Sequence, residues 1–267
     1  MAARERAAEA LRIARRLTRR GWRLHAFAVI CLYPVIPARA RGATCRLRIT
    51  LPSGASRWFW FTDLTQVSAL REVLIERDYD VELSRPVRTI VDLGANAGQA
   101  SLFLHDRYPE ARILAAEPDP QIASLAARNL RGIADVIPVG VADRDGTMEF
   151  TRVLDLSWGS ALGPARYELP SEHLSVPTMT LGTLLREHRL DRIDLLKVDV
   201  EGAELMALTS DDSLQWVRCL IGEVHPWLIG MTAPEALERL REHGGFDRGW
   251  MHRERIVALV RTDPPAR

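Results

Sequence analysis

The sequence predicts an α/β domain with a Rossmann-like, mostly parallel sheet flanked by helices, and three observations carry that expectation. From residue 87 onward short aliphatic runs alternate with helical stretches, a glycine-bearing turn follows the first run, and ionisable residues recur where the runs end. Such a sheet is covered on both faces, and its ligands sit beyond the carboxyl ends of the strands. The composition agrees: 267 residues, 47% hydrophobic and 27% charged with net charge +1, exclude a disordered chain, a fibrous repeat or a multi-pass membrane protein. Cys31, Cys45 and Cys219 are odd in number and lack C-x-x-C spacing, so neither a disulfide framework nor a zinc knuckle is expected. A reducing, cytoplasmic setting follows as the expectation.

The chain divides by charge into an extension over residues 1–79 and a main domain over residues 80–267. Residues 1–48 hold twelve arginines against Glu5 and Glu9, a local charge near +10 that the rest of the chain offsets. Residues 2–23 are good helix formers and predict a basic helix. The apolar run 24–38 follows; interrupted by His25, Pro34 and Pro37, it is too short and too broken to span a bilayer. Arg19-Arg20 before it and Ala38-Arg39-Ala40 after it imitate a signal peptide, a weaker reading because the basic region is long and the cleavage would fall between arginines. Packing on the chain's own domain or a neighbouring subunit is preferred, with a peripheral membrane contact next. Alternation around Pro52-Ser53-Gly54 predicts a β-hairpin over 46–61 whose aromatics pack in a core, and 65–77 reads as helix. Ser84-Arg85-Pro86 then leads into the main domain.

There, strands are expected near 88–93, 112–117, 135–141, 194–199, 218–224 and 255–260, and helices near 98–107, 120–130, 180–189, 201–209 and 233–243. The first strand ends in Asp92-Leu93-Gly94-Ala95-Asn96-Ala97-Gly98. Gly94 and Gly98 let the backbone turn sharply and approach a ligand, and the following helix offers unpaired N–H groups. The glycine spacing is neither G-x-G-x-x-G nor a P-loop, which disfavours a pyrophosphate. Glu117, at the second strand tip and 25 positions after Asp92, is placed to accept both hydroxyls of a ribose. Asp143, after the third strand, is a candidate acceptor for an adenine amino group, although Asp145-Gly146 beside it is also an ordinary turn signal.

The fourth strand carries Lys197, Asp199 and Glu201, which share a face if the strand continues through all three. Lys197 is the one lysine among 36 basic residues, a retained compact ammonium where every other cation is a guanidinium. A structural pair between Lys197 and a carboxylate is the alternative. On the fifth strand Glu223 and His225 alternate onto one face, which suits a general base oriented by a carboxylate. A His/Glu/Asp set could also bind a divalent metal, but no H-E-x-x-H or similar spacing is present, so a base or substrate-positioning role is preferred and no metal ligand is assigned.

The ordered set VDLGANAG, AAEPDP, VADRDG, IDLLKVDVEGAE and EVHP, spanning about residues 80–226, resembles the FkbM-type methyltransferases. Ser157-Trp158-Gly159-Ser160 and Val176 to Leu181 sit where that family carries a serine-rich segment and a helix start, but Gly182 stands where the family usually has Asp. The resemblance implies S-adenosylmethionine as cofactor and methyl transfer, most often to a hydroxyl oxygen of a natural product, sugar or glycan. It implies further that Gly94, Asn96 and Gly98 cradle the methionine moiety, with Glu117 on the ribose and Asp143 on the adenine; Asp92, which precedes the turn, is expected from its position to accept from loop amides or a ligand ammonium. Asp199 then lies near the reactive methyl, Lys197 steadies a developing alkoxide, and His225 takes the proton. A nicotinamide dehydrogenase, or a nucleoside-binding adaptor without turnover that docks through its arginines, are the rival readings. Nucleic acid is not expected as substrate, because the basic residues cluster outside the cofactor domain.

Overall fold

The computed structural model describes residues 3–37, 40, 45–154, 160–163, 168–252 and 255–262. Its main sheet has seven strands: β3 (Thr89–Leu93), β4 (Arg112–Ala116), β5 (Ala134–Ile137), β10 (Leu195–Val198), β11 (Cys219–Glu223), β12 (Arg248–His252) and β13 (Ile256–Val260). They lie in the order β12-β13-β11-β10-β3-β4-β5. The five strands from β11 to β5 run parallel, whereas β13 is antiparallel to β11 and to β12. The chain starts at β3, works outward to β5, then returns to the other side of β3 through β10. The order therefore reverses between β3 and β10, and a crevice opens at their carboxyl ends.

Alternate residues of these strands feed two cores. Ile90, Ile113 and Leu195 face one side, with Leu102 and Leu104 of α4 (Gln99–Arg107) and Leu125 of α5 (Pro120–Asn129). Val91, Leu114 and Leu196 face the other, with Leu184 of α6 (Leu181–Glu187), Leu208 of α7 (Glu204–Leu208) and Leu240 of α8 (Ala233–Gly244). Burial on both faces is why these strands read as continuous aliphatic runs. Helix starts follow their caps: Asp119 accepts from the Gln121 and Ile122 amides, Thr180 from Thr183, and Thr232 with Glu235 forms a reciprocal capping box.

The extension forms α1 (Ala3–Leu17), α2 (Arg23–Leu32), a hairpin of β1 (Arg46–Thr50) and β2 (Ser56–Trp60), and α3 (Leu64–Arg71). A wide helical turn over Glu72–Glu76 continues α3 to the left-handed Arg77, so the helix expected over 65–77 is two pieces. In the run 24–38, α2 occupies the first part and the Pro34 turn ends it. No helix among the described residues is long and apolar enough to cross a membrane. The hairpin aromatics divide by alternation: Phe59 and Phe61 are fully buried with Leu47 and Ile49, while Trp58 and Trp60 face outward and are half-buried. Leu17, Leu47 and Phe59 join the same core as Ile90 and Leu102, so the extension packs directly on one face of the main sheet.

Two expectations change. The third strand stops at Ile137, before Pro138, and β6 (Gly140–Val141) joins a separate sheet of order β6-β9-β7-β8 with β7 (Gly146–Val153), β8 (Ala161–Leu162) and β9 (Ser171–Met179). That mixed sheet, whose two long strands β7 and β9 run antiparallel and are partly exposed, and β12 carry too few consecutive aliphatics to stand out in the sequence. The fourth strand ends at Val198 and Glu201 takes a left-handed backbone (φ 51°), so Lys197, Asp199 and Glu201 do not share one strand face. At Gly182, where the resembled family usually has Asp, the packing is so tight that a Cβ would lie 2.7 Å from Asp211 Oδ2 and 2.8 Å from Ser213 Oγ. Ser157, Trp158 and Gly159 lie outside the described residues.

One buried side chain ties the hairpin to the turn after β3. Asn129 accepts from the Trp60 amide (2.8 Å) and donates to the carbonyls of Trp60 (2.9 Å) and Ala97 (2.8 Å). Replacing Asn129 with Ala strands these backbone groups and is expected to lower the unfolding free energy by about 2 kcal/mol, measured by urea titration.

Candidate functional site

The crevice at the β3/β10 reversal is a cavity of about 390 Å³ whose walls include Gly94, Asn96, Glu117, Arg152, Asp199 and Glu201. Its floor is the turn after β3. Gly94 (φ 73°) and Gly98 (φ 92°) both take the left-handed conformation, and a Cβ on Gly94 would lie 1.8 Å from the Asp199 carbonyl oxygen. Only glycine lets the turn pass so close to the end of β10. The Gly94 and Ala95 amides both donate to the Ala116 carbonyl at 3.0 Å, which fixes the turn against β4.

Glu117 is 7% exposed and holds the next turn open. It accepts from the Asn96 amide (2.8 Å) and the Asp119 amide (3.0 Å). Burial raises its carboxyl to about 7, against the lowering effect of those two amides. Asp119 beyond it pairs with Arg152 of β7, whose Nη2 donates at 2.8 Å, and Arg152 also reaches Glu172 of β9 at 2.6 Å. Through this clamp the second sheet forms a cavity wall that nothing in the sequence pattern marks. Thr62 and Asp63 of the extension line the same cavity.

Lys197 and Asp92 sit beneath the floor rather than in the cavity, which corrects the expectation that both face a ligand. The ammonium is 3.1 Å from Asp92 Oδ1 and donates to the Gly94 carbonyl at 2.7 Å; Asp92 also accepts from Ser101 at 2.7 Å. Burial pulls the ammonium down, but Asp92 and Asp199 outweigh it and leave Lys197 firmly protonated. An extended guanidinium is a poor substitute for a compact donor here.

Asp199 is half-buried at the cavity edge, and Tyr79 donates to it at 3.2 Å. Burial lifts its carboxyl to about 7, with Lys197 opposing and Glu223 adding to the rise. His225 is buried against three carboxylates: Nδ1 donates to Glu204 at 2.9 Å, while Nε2 is 3.3 Å from Glu223 and 3.6 Å from Glu201. Burial alone would depress the imidazolium, but hydrogen bonds to Glu204 and Glu223 carry it up to about 11. His225 is therefore a held cation at neutral pH and not the free base expected from its position. Glu223 does lie beside it, and also pairs with Arg255 at 2.9 Å. Ligand atoms of Asp199, Glu201 and His225 lie within 4.8 Å of one another, a donor set able to hold a divalent cation although no ligand spacing announced it.

Asp143 is a further expected residue that the fold does not bring to the crevice, and Gly98, Glu223 and His225 also lie outside its lining. Because the chain leaves the main sheet at Pro138, Asp143 sits on an exposed turn beside Arg144, 3.3 Å away, while its neighbour Asp145 accepts from Thr180 and Thr183.

A doubly wound sheet with this strand order, a glycine turn at the reversal and an acidic second strand tip defines the class of Rossmann-like methyltransferases. The Methyltransferase FkbM domain matches residues 92–246, and the chain belongs to the FkbM methyltransferase family. It is 32% identical over 209 residues to "Methyltransferase sdnD" of Sordaria araneosa, covering 66% of this chain and 80% of that one. It is 29% identical to "31-O-demethyl-FK506 methyltransferase FkbM" of Streptomyces tacrolimicus (65% and 79% covered), and 34% identical to "2-O-methyltransferase NoeI" of Sinorhizobium fredii (46% and 56% covered). The cofactor of such an enzyme is S-adenosylmethionine, and the crevice fits it: a Cβ at Gly94 would fill the turn, and a buried carboxylate at Glu117 lacks any cation within hydrogen-bonding reach among the described contacts.

Removing the ammonium under the floor is expected to cost about 3–5 kcal/mol of stability in Lys197→Met, because Asp92 is left charged and buried. The double variant Lys197→Met, Asp92→Asn should recover part of that loss in the same denaturant titration.

Proposed function

We propose that this protein transfers the methyl group of S-adenosylmethionine to a hydroxyl oxygen of a small natural product, sugar or glycan. The observation that carries the proposal is the cavity-facing carboxylate of Asp199, held near neutrality at the reversal point, where a hydroxyl proton can be accepted. Two relatives whose names specify O-methylation support the same class of acceptor.

When bound, S-adenosylmethionine supplies a methyl carbon activated by its sulfonium. The chain's own residues then bind, orient and deprotonate. The turn Gly94–Gly98, with the Asn96 backbone, leaves room for the methionine moiety, and Glu117 accepts the ribose hydroxyls. Asp199 takes the proton of the acceptor hydroxyl at its cavity-facing carboxylate; the bound cofactor would supply its methyl carbon to the hydroxyl oxygen and would keep the carbon–sulfur electron pair on its sulfur. His225, fixed by Glu204, Glu223 and Glu201, positions the acidic wall and offsets part of its negative charge. Lys197 acts through the floor by holding the Gly94 carbonyl. Most of the rate enhancement on this reading comes from alignment of acceptor oxygen and methyl carbon.

Two measurements test the assignment. Asp199→Asn is expected to lower kcat about 100-fold while S-adenosylhomocysteine affinity by calorimetry changes little. In the parent, kcat/KM should fall as pH drops below about 7, because the protonated Asp199 carboxyl no longer accepts the proton. Unaltered turnover in the Asn variant would remove Asp199 as the base. Separately, Glu117→Ala should weaken S-adenosylhomocysteine binding by about tenfold or more, since two hydrogen bonds to a charged acceptor are lost.

A further inference from the structure

The extension presents charge and apolar surface that methyl transfer does not use. Along β1 and β2 the outward positions include Arg46, Arg48, Trp58 and Trp60, opposite to the buried row of Leu47, Ile49 and Phe59, whose face Arg57 extends toward the hairpin tip. The guanidinium of Arg46 lies 4.3 Å from the Trp58 ring centroid, and that of Arg128 from α5 lies 3.2 Å from the Trp60 centroid. Between the hairpin and helices α4 and α5 is an open groove of about 810 Å³, lined by Arg48, Arg57, Arg128, Arg131 and the two tryptophans. Asp106 is the one carboxylate of its lining, and it accepts from the Ser53 amide at 2.8 Å.

The surface continues onto α1 and α2. Trp22 packs edge-on against Trp58 at 5.1 Å, and the Arg19 guanidinium donates to the Gly54 carbonyl at the hairpin tip. Of the nine large apolar side chains exposed among the described residues, five belong to this stretch: Leu11, Trp22, Leu24, Leu32 and Val35. Leu24 is 79% exposed and Val35 76%. Arg12, Arg15, Arg16, Arg19, Arg20 and Arg23 are exposed among them. Apolar tips projecting between arginines, with tryptophans at the boundary, match the two layers of a membrane surface, acyl chains below and phosphates above.

We propose that this face docks the protein on an anionic bilayer, with the arginine-tryptophan groove taking a phosphate-bearing lipid headgroup. A single-stranded nucleic acid would satisfy the arginines and indoles but would leave Leu24, Leu32 and Val35 in water. A second copy of the same face would set arginine against arginine. Only a surface that is both anionic and apolar uses every group, and electrostatic attraction plus shallow insertion is the known route by which a chain without a spanning helix stays at a membrane.

The test is co-sedimentation of the full chain with phosphatidylcholine vesicles, with and without phosphatidylglycerol, at low and high salt. Binding is expected only with phosphatidylglycerol, weakening as salt rises. Two pairs of exposed substitutions probe the two components: Arg128→Glu with Arg131→Glu in the groove, and Leu24→Asp with Val35→Asp on α2 and its exit. Each pair should weaken vesicle binding about tenfold or more, while far-UV circular dichroism and S-adenosylhomocysteine affinity stay at parental values. Equal binding to neutral vesicles, no binding to anionic ones, parental binding by both pairs, or tighter capture by a single-stranded RNA oligonucleotide than by the vesicles would overturn the proposal.

Discussion

The structure depends on one buried cation. Lys197 enters the floor of the crevice from the last turn of β10, faces Asp92 of β3, and donates to the carbonyl of the glycine that begins the turn. Those two strands are the ones between which the strand order reverses, so the pair joins the halves of the sheet where the fold leaves a gap. A buried ion pair is weak evidence for stability in general, because desolvation offsets attraction. Here its value is positional: with the ammonium bound to the backbone at Gly94, the turn is pulled below the sheet edge and the space above it stays open. The neighbouring Asp199 carbonyl, against which no Cβ at Gly94 would fit, limits the turn from the other side.

Much of this was legible in the sequence because it rests on one-dimensional signals. Strands buried on both faces announce themselves as aliphatic runs, and the runs ending at Leu93, Ala116, Val198 and Glu223 fall within one residue of the expected ends. Gly94, Gly98 and Glu117 were legible for the same reason, since a strand exit fixes where its next residue goes. Asp143 lies apart from the crevice because the chain leaves the parallel sheet at Pro138 for a second one whose long strands are partly exposed. Arg152 and Tyr79 were invisible because each reaches the site across a large sequence separation and carries no local pattern. For Lys197 the residue stood out but its direction did not: strand periodicity puts it on the same face as Asp199 only if the strand continues, and it stops one residue short.

The hairpin shows the same rule from the other side. Its aromatic run was expected to be core, and period-two alternation gives that half of the answer for Phe59 and Phe61. The same period requires Trp58 and Trp60 to point outward, where arginines from two elements stack on them. An outward tryptophan is costly in water unless something covers it, and guanidinium stacking does so while leaving the charge presented.

Glu117 and Asp199 are raised to about the same value by the same cause, burial, yet the relief available to each differs. Two backbone amides already oppose the rise at Glu117, and ligand hydroxyls would add further donors to its charged form; binding there should draw the carboxyl toward ionisation. Asp199 sits between the ammonium of Lys197, which favours its charge, and Glu223, which does not, so its balance turns on the acids around it. The His225 cation offsets some of that acidic excess. Were it a neutral base instead, Glu201, Glu204 and Glu223 would face one another with less compensation, and Asp199 would be driven further toward its protonated form. The imidazolium is therefore worth more to the site as a fixed charge than as a proton carrier, and once ligand hydroxyls draw Glu117 toward ionisation, Asp199 is the cavity-wall carboxylate left able to exchange a proton near neutrality.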